Sequence, residues 1–241
     1  MQGYRQDLAY IHDVGFTDFA RNAAPGLLNI LKRKHVADGL VVDLGCGSGR
    51  WTAQLIRAGY HVWGVDQSRA MIRLARGNAP RSKFKIGSLL RVELPRCDAV
   101  TSTGECLNYT FDERNSHAAL LRLFRRVYRA LRPGGVFVFD IAEPSRIPKT
   151  PERKWTEGRG WAILVHIEGN RSQKFLRRRI VTFRKLGSSY RRTCETHSLR
   201  LYRAQDLIRM LDRCGFRARQ LSGYGSFRFP PGIAGVLAAK P

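Results

Sequence analysis

The chain has 241 residues, enough for one well-cored α/β body with an insertion and short for two ordinary domains. Its 43% hydrophobic and 26% charged residues exclude a disordered or collagen-like chain. Lysine and arginine (43) outnumber aspartate and glutamate (19), a formal charge of +24 that suits an anionic partner and also keeps a surface soluble.

The first residues lack the basic-then-apolar pattern of a signal peptide, and no window approaches the ~18 uncharged apolar residues of a membrane span. The expectation is a cytoplasmic protein with no membrane contact. Five cysteines, none at C-x-x-C spacing, predict reduced thiols, with no disulfide framework and no zinc or other metal site. Apolar spacing predicts a helix over residues 17–36 with a kink at Pro25-Gly26. Then come a strand at 40–44, a helix at 50–58, a strand at 61–65, a helix at 68–76, strands at 84–87 and 99–103, a helix from about 113 to 131, and a strand at 136–141. Strands alternating with helices predict a doubly wound parallel sheet covered on both faces.

The pattern changes after Ile141. A connector with Pro144, Pro148 and Pro151 leads to three strand-like runs, at 161–167, 175–183 and 190–202, separated by turn residues. They predict a small antiparallel insertion. A helix at 204–214 follows, stopped by Gly215, and strands near 218–222 and 233–239 finish the sheet. Residues 171–219 hold 15 basic and 3 acidic side chains, so this fifth of the chain carries +12.

Residues 41–49 are a strand running into the glycine loop Asp43-Leu44-Gly45-Cys46-Gly47-Ser48-Gly49, which opens a helix where open parallel sheets bind ligands. A dinucleotide fingerprint would place a third glycine at position 50, where this chain has Arg50. Asp43, at the strand end, would repel a pyrophosphate but suits a cationic ligand. Asp66 closes the second strand, 17 residues after Gly49, where a carboxylate can accept both hydroxyls of a ribose.

With these motifs the chain resembles the class I S-adenosylmethionine-dependent methyltransferases over nearly its whole length. Asp43 to Gly49 match the family's first motif, Asp66 its ribose-binding acid, and Leu131-Arg132-Pro133-Gly134-Gly135 the turn before the fifth strand. The resemblance implies a Rossmann-like seven-stranded sheet with the last strand antiparallel, and S-adenosyl-L-methionine as cofactor. It implies a lid and first helix over residues 1–36, a cofactor-binding domain over 37–143 and 204–241, and an insertion over 144–203 covering the acceptor. Contacts to the cofactor are expected from Gly45, Cys46, Gly47, Gly49, Asp66, Gln67, Gly87, Leu89 and Thr103. Where the family has Gly-Asp after the third strand, this chain has Gly87-Ser88, and a serine hydroxyl can still accept a hydrogen bond. The segment from Tyr4 to Asp13 looks like the aromatic lid of small-molecule members, with His12-Asp13 where many have Tyr-Asp. By that likeness Tyr4 and Arg21 reach the cofactor.

Methyl transfer is an in-line displacement, so the protein must chiefly position the acceptor, exclude water and sometimes remove a proton. The acceptor end is expected beyond the fourth strand, at Glu105, Asn108 and Tyr109. His197 and Glu195, two apart on a predicted strand, share a face, which makes His197 a candidate base, with His12 its rival. His35, His61, His117 and His166 show no partner pattern, and Cys106 lacks a Pro-Cys context. The aromatic-proline signature of DNA amine methyltransferases is absent. The favoured function is methylation of a small-molecule nitrogen or oxygen. Methylation of RNA through the arginine-rich segment is the rival enzyme reading, and a non-catalytic module binding the cofactor or RNA is the third. Oligomeric state has no signature in the chain.

Overall fold

Val41 and Val42 are consecutive in a strand, so their side chains point to opposite faces, and each finds a different apolar layer. Val41 packs with Leu27, Leu31, Trp51 and Leu55. Val42 packs with Leu120, Leu123 and Phe124. That double burial is why the strands read as continuous apolar runs. The computed structural model describes residues 3–36, 38–112 and 115–241.

In chain order the elements are α1 (Gln6–Gly15), α2 (Asp18–Arg33), β1 (Leu40–Leu44), α3 (Arg50–Arg57), β2 (His61–Asp66), α4 (Arg69–Asn78), β3 (Lys83–Ile86), β4 (Cys97–Ser102), α5 (His117–Ala130), β5 (Leu131–Ala142), β6 (Glu152–Gly158), β7 (Trp161–Asn170), β8 (Phe175–Leu186), β9 (Ser189–Arg200), α6 (Ala204–Asp212), β10 (Arg217–Leu221), β11 (Gly223–Tyr224), β12 (Phe227–Arg228) and β13 (Ile233–Ala239). The main sheet has the order β10-β13-β5-β4-β1-β2-β3. β1 to β5 pair in parallel, while β13 runs antiparallel to both β5 and β10. This is the doubly wound, seven-stranded arrangement expected, with its last strand reversed. The carboxyl ends of β1, β2 and β4 open into one crevice, at the point where the strand order reverses.

Three features of the main body differ from the reading of the sequence by more than a residue or two at an element's end. The helix expected to start at about Glu113 begins at His117, where Ser116 Oγ accepts the Ala119 N–H at 3.2 Å. Glu113 itself lies outside the described residues. The expected kink region, Pro25-Gly26, lies inside the uninterrupted α2. A Cβ on Gly26 would fall 2.0 Å from the Tyr224 carbonyl oxygen, so this glycine lets α2 press against β11. The hairpin of β11 and β12 was not foreseen, because two-residue strands carry no periodicity.

The insertion has four strands, not three, in the order β6-β7-β8-β9. β6 reads Glu-Arg-Lys-Trp-Thr-Glu-Gly, with no apolar alternation to betray it. It forms because an edge strand needs only backbone partners on one side, supplied by β7. The inner face of this sheet receives α1: Leu8 and Ile11 pack with Trp161, Ile163 and Ile180. Each such fully buried aliphatic side chain contributes about 1.5–3 kcal/mol. Beside them the buried Asp7 accepts Arg191 Nε at 2.7 Å, and Arg191 followed by Arg184 holds its carboxyl below the usual range. The other edge of the sheet is covered too. Tyr109 bridges to Leu199, Thr110 N–H bonds the Ser198 carbonyl, and Arg5 donates to the Cys194 carbonyl.

Among the described residues no helix is long and apolar enough to cross a membrane.

Candidate functional site

A cavity of about 550 Å³ fills the crevice between the strand ends, α1 and the antiparallel sheet. Its floor is the glycine loop. Gly45, Gly47 and Gly49 all have positive φ, which favours glycine at each, and at Gly45 the space requires it as well. A Cβ on Gly45 would strike Cys106 Sγ at 2.5 Å, whereas one on Gly47 would meet nothing within 4 Å and would project into open space. Gly49 is different. It lies outside the cavity wall and packs on Ala75 of α4, so its contribution is to the helix start.

Asp43 also departs from expectation. It is buried behind the loop, where its carboxylate accepts Thr52 Oγ at 2.7 Å and Thr101 Oγ at 3.2 Å. It pins α3 to the sheet instead of lining the cavity, and burial pushes its pKa up to about 6. Asp66 does line the cavity. Its two oxygens accept the N–H groups of Gly47 (3.0 Å) and Ser68 (2.7 Å), and burial pushes it up to about 6 as well. Gln67, Cys46, Gly87, Leu89 and Thr103 line the same cavity.

Ser88 lines the cavity without an acidic side chain of its own, but a carboxylate stands next to it. Ser88 Oγ donates to Asp112 at 2.6 Å and accepts the Leu90 N–H at 3.1 Å. Arg91 Nε approaches the same carboxylate at 3.3 Å. Asp112 was not anticipated, since it belongs to a different loop, 24 residues away.

The far end of the cavity is aromatic. Tyr4, His12, Phe16, Phe19, Tyr109 and Phe111 converge there. The Tyr4 and Tyr109 hydroxyls lie 3.3 Å apart, and burial raises both phenols, so they remain protonated donors. Burial lowers His12 to about 4, which keeps it neutral at pH 7. Glu105 enters from the loop after β4 and pairs with Arg178 at 2.8 Å, both side chains being mostly buried. Arg178 also donates to Tyr109 Oη at 3.3 Å. Burial opposes the charge of Arg178, but Glu105 beside it raises its pKa overall.

Glu105 has φ 61°, a conformation that favours glycine. The buried carboxylate of Asp140 fixes it by accepting the N–H groups of Glu105 (2.7 Å) and Gly104 (3.0 Å). Tyr224 Oη donates to the same carboxylate at 3.0 Å. The sequence does carry a signal for Asp140: a lone acid inside the apolar run Val136-Phe137-Val138-Phe139-Asp140-Ile141 must be satisfied by something specific.

Three expected residues stand elsewhere. Asn108 is fully buried outside the cavity, its carboxamide donating to the Ala142 and Arg200 carbonyls (2.9 and 2.8 Å) and accepting the Ala142 N–H (2.9 Å). It stitches the loop to β5 and β9. Arg21 lies on the solvent face of α2, paired with Asp18 at 2.6 Å and 69% exposed, while Phe19 and Ala20 turn to the cavity. His197 lies behind the aromatic wall, its ring 4.8–5.8 Å from those of Phe111, Tyr4 and Tyr109. Its Nε2 meets Glu195 at 3.1 Å, and among the described residues its buried Nδ1 has no hydrogen-bond partner.

Residues 3–5 strap the cavity. Ser68 Oγ donates to the Tyr4 carbonyl at 2.7 Å, and the Arg5 N–H donates to Glu195 at 2.9 Å. At the other side Arg50 grips Asp13 through its carboxylate (2.7 and 2.9 Å) and its carbonyl (3.2 Å), and Asn78 bridges Asp13 to the Ser48 carbonyl. Arg50, the residue that breaks the dinucleotide fingerprint, thus ties α1 to the glycine loop.

The donor set fits S-adenosylmethionine. A glycine loop open at Gly47 and the acid of Asp66 at the end of β2 suit an adenosyl group with cationic substituents, and the cavity is mainly apolar beyond them.

Residues 41–135 match the family described as "Methyltransferase domain". A Bacillus subtilis (strain 168) protein named as a methyltransferase, YqeM, is 23% identical over 193 residues, 76% of each chain. Matches at 34% identity are shorter, and span about half (53%) of uncharacterized Bacillus methyltransferases. Among solved structures, an S-adenosylmethionine-dependent methyltransferase from Clostridium acetobutylicum ATCC 824 superposes with a TM-score of 0.82 at 18% identity, covering 96% of this chain and 97% of that one. The sugar N-methyltransferase KedS8 from Streptoalloteichus sp ATCC 53650 gives 0.77 at 20%, covering 100% and 94%. Sheet order and glycine loop have the class I fold, and with these likenesses the chain is an S-adenosylmethionine-dependent methyltransferase, its methyltransferase domain matched over residues 41–135.

Proposed function

We propose that the methyl acceptor is a small molecule bound at the aromatic end of the cavity, and that its nitrogen or oxygen receives the methyl group. The observation that carries this reading is enclosure. Strap, α1 and antiparallel sheet cover a cavity of about 550 Å³, a volume suited to a cofactor and a compact acceptor and not to a polymer. Likeness to KedS8, a sugar N-methyltransferase, supports a nitrogen on a sugar-sized acceptor.

When bound, S-adenosylmethionine supplies a methyl group already activated by the sulfonium. Asp66 would hold the ribose hydroxyls, and Gly45, Cys46 and Gly47 would present backbone to the amino-acid part. Gln67, Gly87, Ser88 and Leu89 would flank the base, and Thr103 would stand near the reacting carbon. Tyr4 would close over it. Glu105 and Tyr109, held by Arg178, would orient the nucleophile by hydrogen bonds, the main requirement of an in-line displacement. His12, neutral at pH 7, would accept a proton from the acceptor. His197 would act through the wall, keeping Tyr4 and Tyr109 in place with Glu195 behind it. The five cysteines, all free thiols, suit a cytoplasmic enzyme.

The test is methyl transfer from radiolabelled S-adenosylmethionine into a lysate, with products separated by size and by ribonuclease and protease sensitivity. Label in the small-molecule fraction is the expected outcome. Label released by ribonuclease would overturn it in favour of an RNA acceptor.

A further inference from the structure

The open face of the antiparallel sheet, turned away from α1, carries Arg177 and Arg179 of β8 two residues apart. In cross-strand register His166 lies between Arg153 and Arg179, and Arg179 is next to Thr196. One row along on the same face, Arg177 lies between Glu168 and Ser198. Arg177 and Arg179, two residues apart on this face of β8, repel each other, a cost that a bound anion relieves. Arg177 has Glu168 at 3.4 Å. Among the described residues Arg179 and Arg153 make no ion pair.

His166, Glu168, Arg177 and Arg179 line a cleft of about 590 Å³ that runs over the edge strand β9, and Arg153 lies outside it. Arg5 reaches it from the strap, more than half exposed, and the Thr196 and Ser198 side chains complete it. Two carboxylates share the cleft, and both are engaged: Glu168 with Arg177, and the buried Glu195 with His197, the Arg5 N–H and, at 3.7 Å, Arg5 Nε, whose guanidinium also donates to the Cys194 carbonyl.

We propose that this cleft is a phosphate-binding site. Several guanidinium groups with hydroxyls beside them suit a tetrahedral dianion, which accepts several charge-assisted hydrogen bonds at once. A monocarboxylate or chloride would leave most of these donors unused. The site is separate from the methyl-transfer cavity, although Gly3 lines both. It accepts free phosphate or the phosphate of an ester, and it stands whatever the methyl acceptor is.

The test is calorimetric titration at constant ionic strength with inorganic phosphate and with a sugar phosphate monoester, in the unmodified protein and in Arg179→Gln. Arg179 is exposed on a sheet face, so the variant folds, and unchanged S-adenosylhomocysteine binding verifies that. Saturable binding at one phosphate per chain, weakened at least tenfold by Arg179→Gln, is expected. Tighter binding of the monoester identifies an ester as the natural ligand, and equal or weaker binding identifies the free anion. Equal heats from sodium chloride, or unchanged phosphate affinity in Arg179→Gln, overturn the site. So does salt-sensitive binding of a single-stranded oligonucleotide with no binding of inorganic phosphate.

Discussion

Asp140 holds Glu105 in a left-handed conformation, its carboxylate accepting the Glu105 N–H at 2.7 Å across 35 residues of chain. The Glu105 end of the cavity therefore depends on a residue of β5 that does not line it. Asp140→Ala is expected to release the loop, at about 1.5–3 kcal/mol for each hydrogen bond to the lost charge. Methyl-transfer activity should fall at least tenfold while S-adenosylhomocysteine binds nearly as before. Retained activity in a folded Asp140→Ala protein would show that the conformation of Glu105 has no part in acceptor positioning.

Asp66→Ala should weaken cofactor binding by about 1.5–3 kcal/mol for each ribose hydrogen bond lost. The same carboxylate fixes the Gly47 and Ser68 N–H groups, so some loss of stability should accompany it. Calorimetry with S-adenosylhomocysteine measures the first effect and urea unfolding the second. If affinity is unchanged, the ribose assignment is wrong.

Asn108→Ala separates architecture from chemistry. It leaves the buried Ala142 N–H without a partner and takes a donor from the Ala142 and Arg200 carbonyls, the first of which keeps the Tyr202 N–H, a loss on the order of 3 kcal/mol. The midpoint of urea unfolding should fall, with cofactor affinity preserved at low temperature. A stable protein with selective loss of turnover would return Asn108 to the catalytic candidates.

Stability without ligand should fall as pH rises from about 4 to above 6. Burial raises Asp43, Asp66 and Asp140 to about 6, so the folded state binds more protons than the unfolded state across that window. Their contribution is present below the unfolded carboxylate value and is lost as pH passes the folded one. His12, lowered to about 4, works in the opposite direction, one group against three. Asp7 is held low by Arg191, so its effect lies below this window. Thermal unfolding between pH 4.5 and 7.5 should show the decline, and Asp43→Asn should flatten it. A stability that rises through this range would mean that these carboxyls are ionised when buried.

The local pattern of the chain was sufficient for the doubly wound core, the glycine loop from Asp43 to Gly49, Asp66 at a strand end and an antiparallel insertion, because period, turn residues and strand-end position act over a few residues. β6 escaped, since an exposed edge strand of charged residues has no apolar period. What lies in the cavity was decided by tertiary contacts. Arg178 meets Glu105 across 73 residues, and Asp112 comes beside Ser88 from another loop. Arg21 faces solvent and Asn108 faces backbone, although both sat at plausible positions in the sequence. Sheet register and loop path set those distances, and neither is encoded in the spacing of residues along one element.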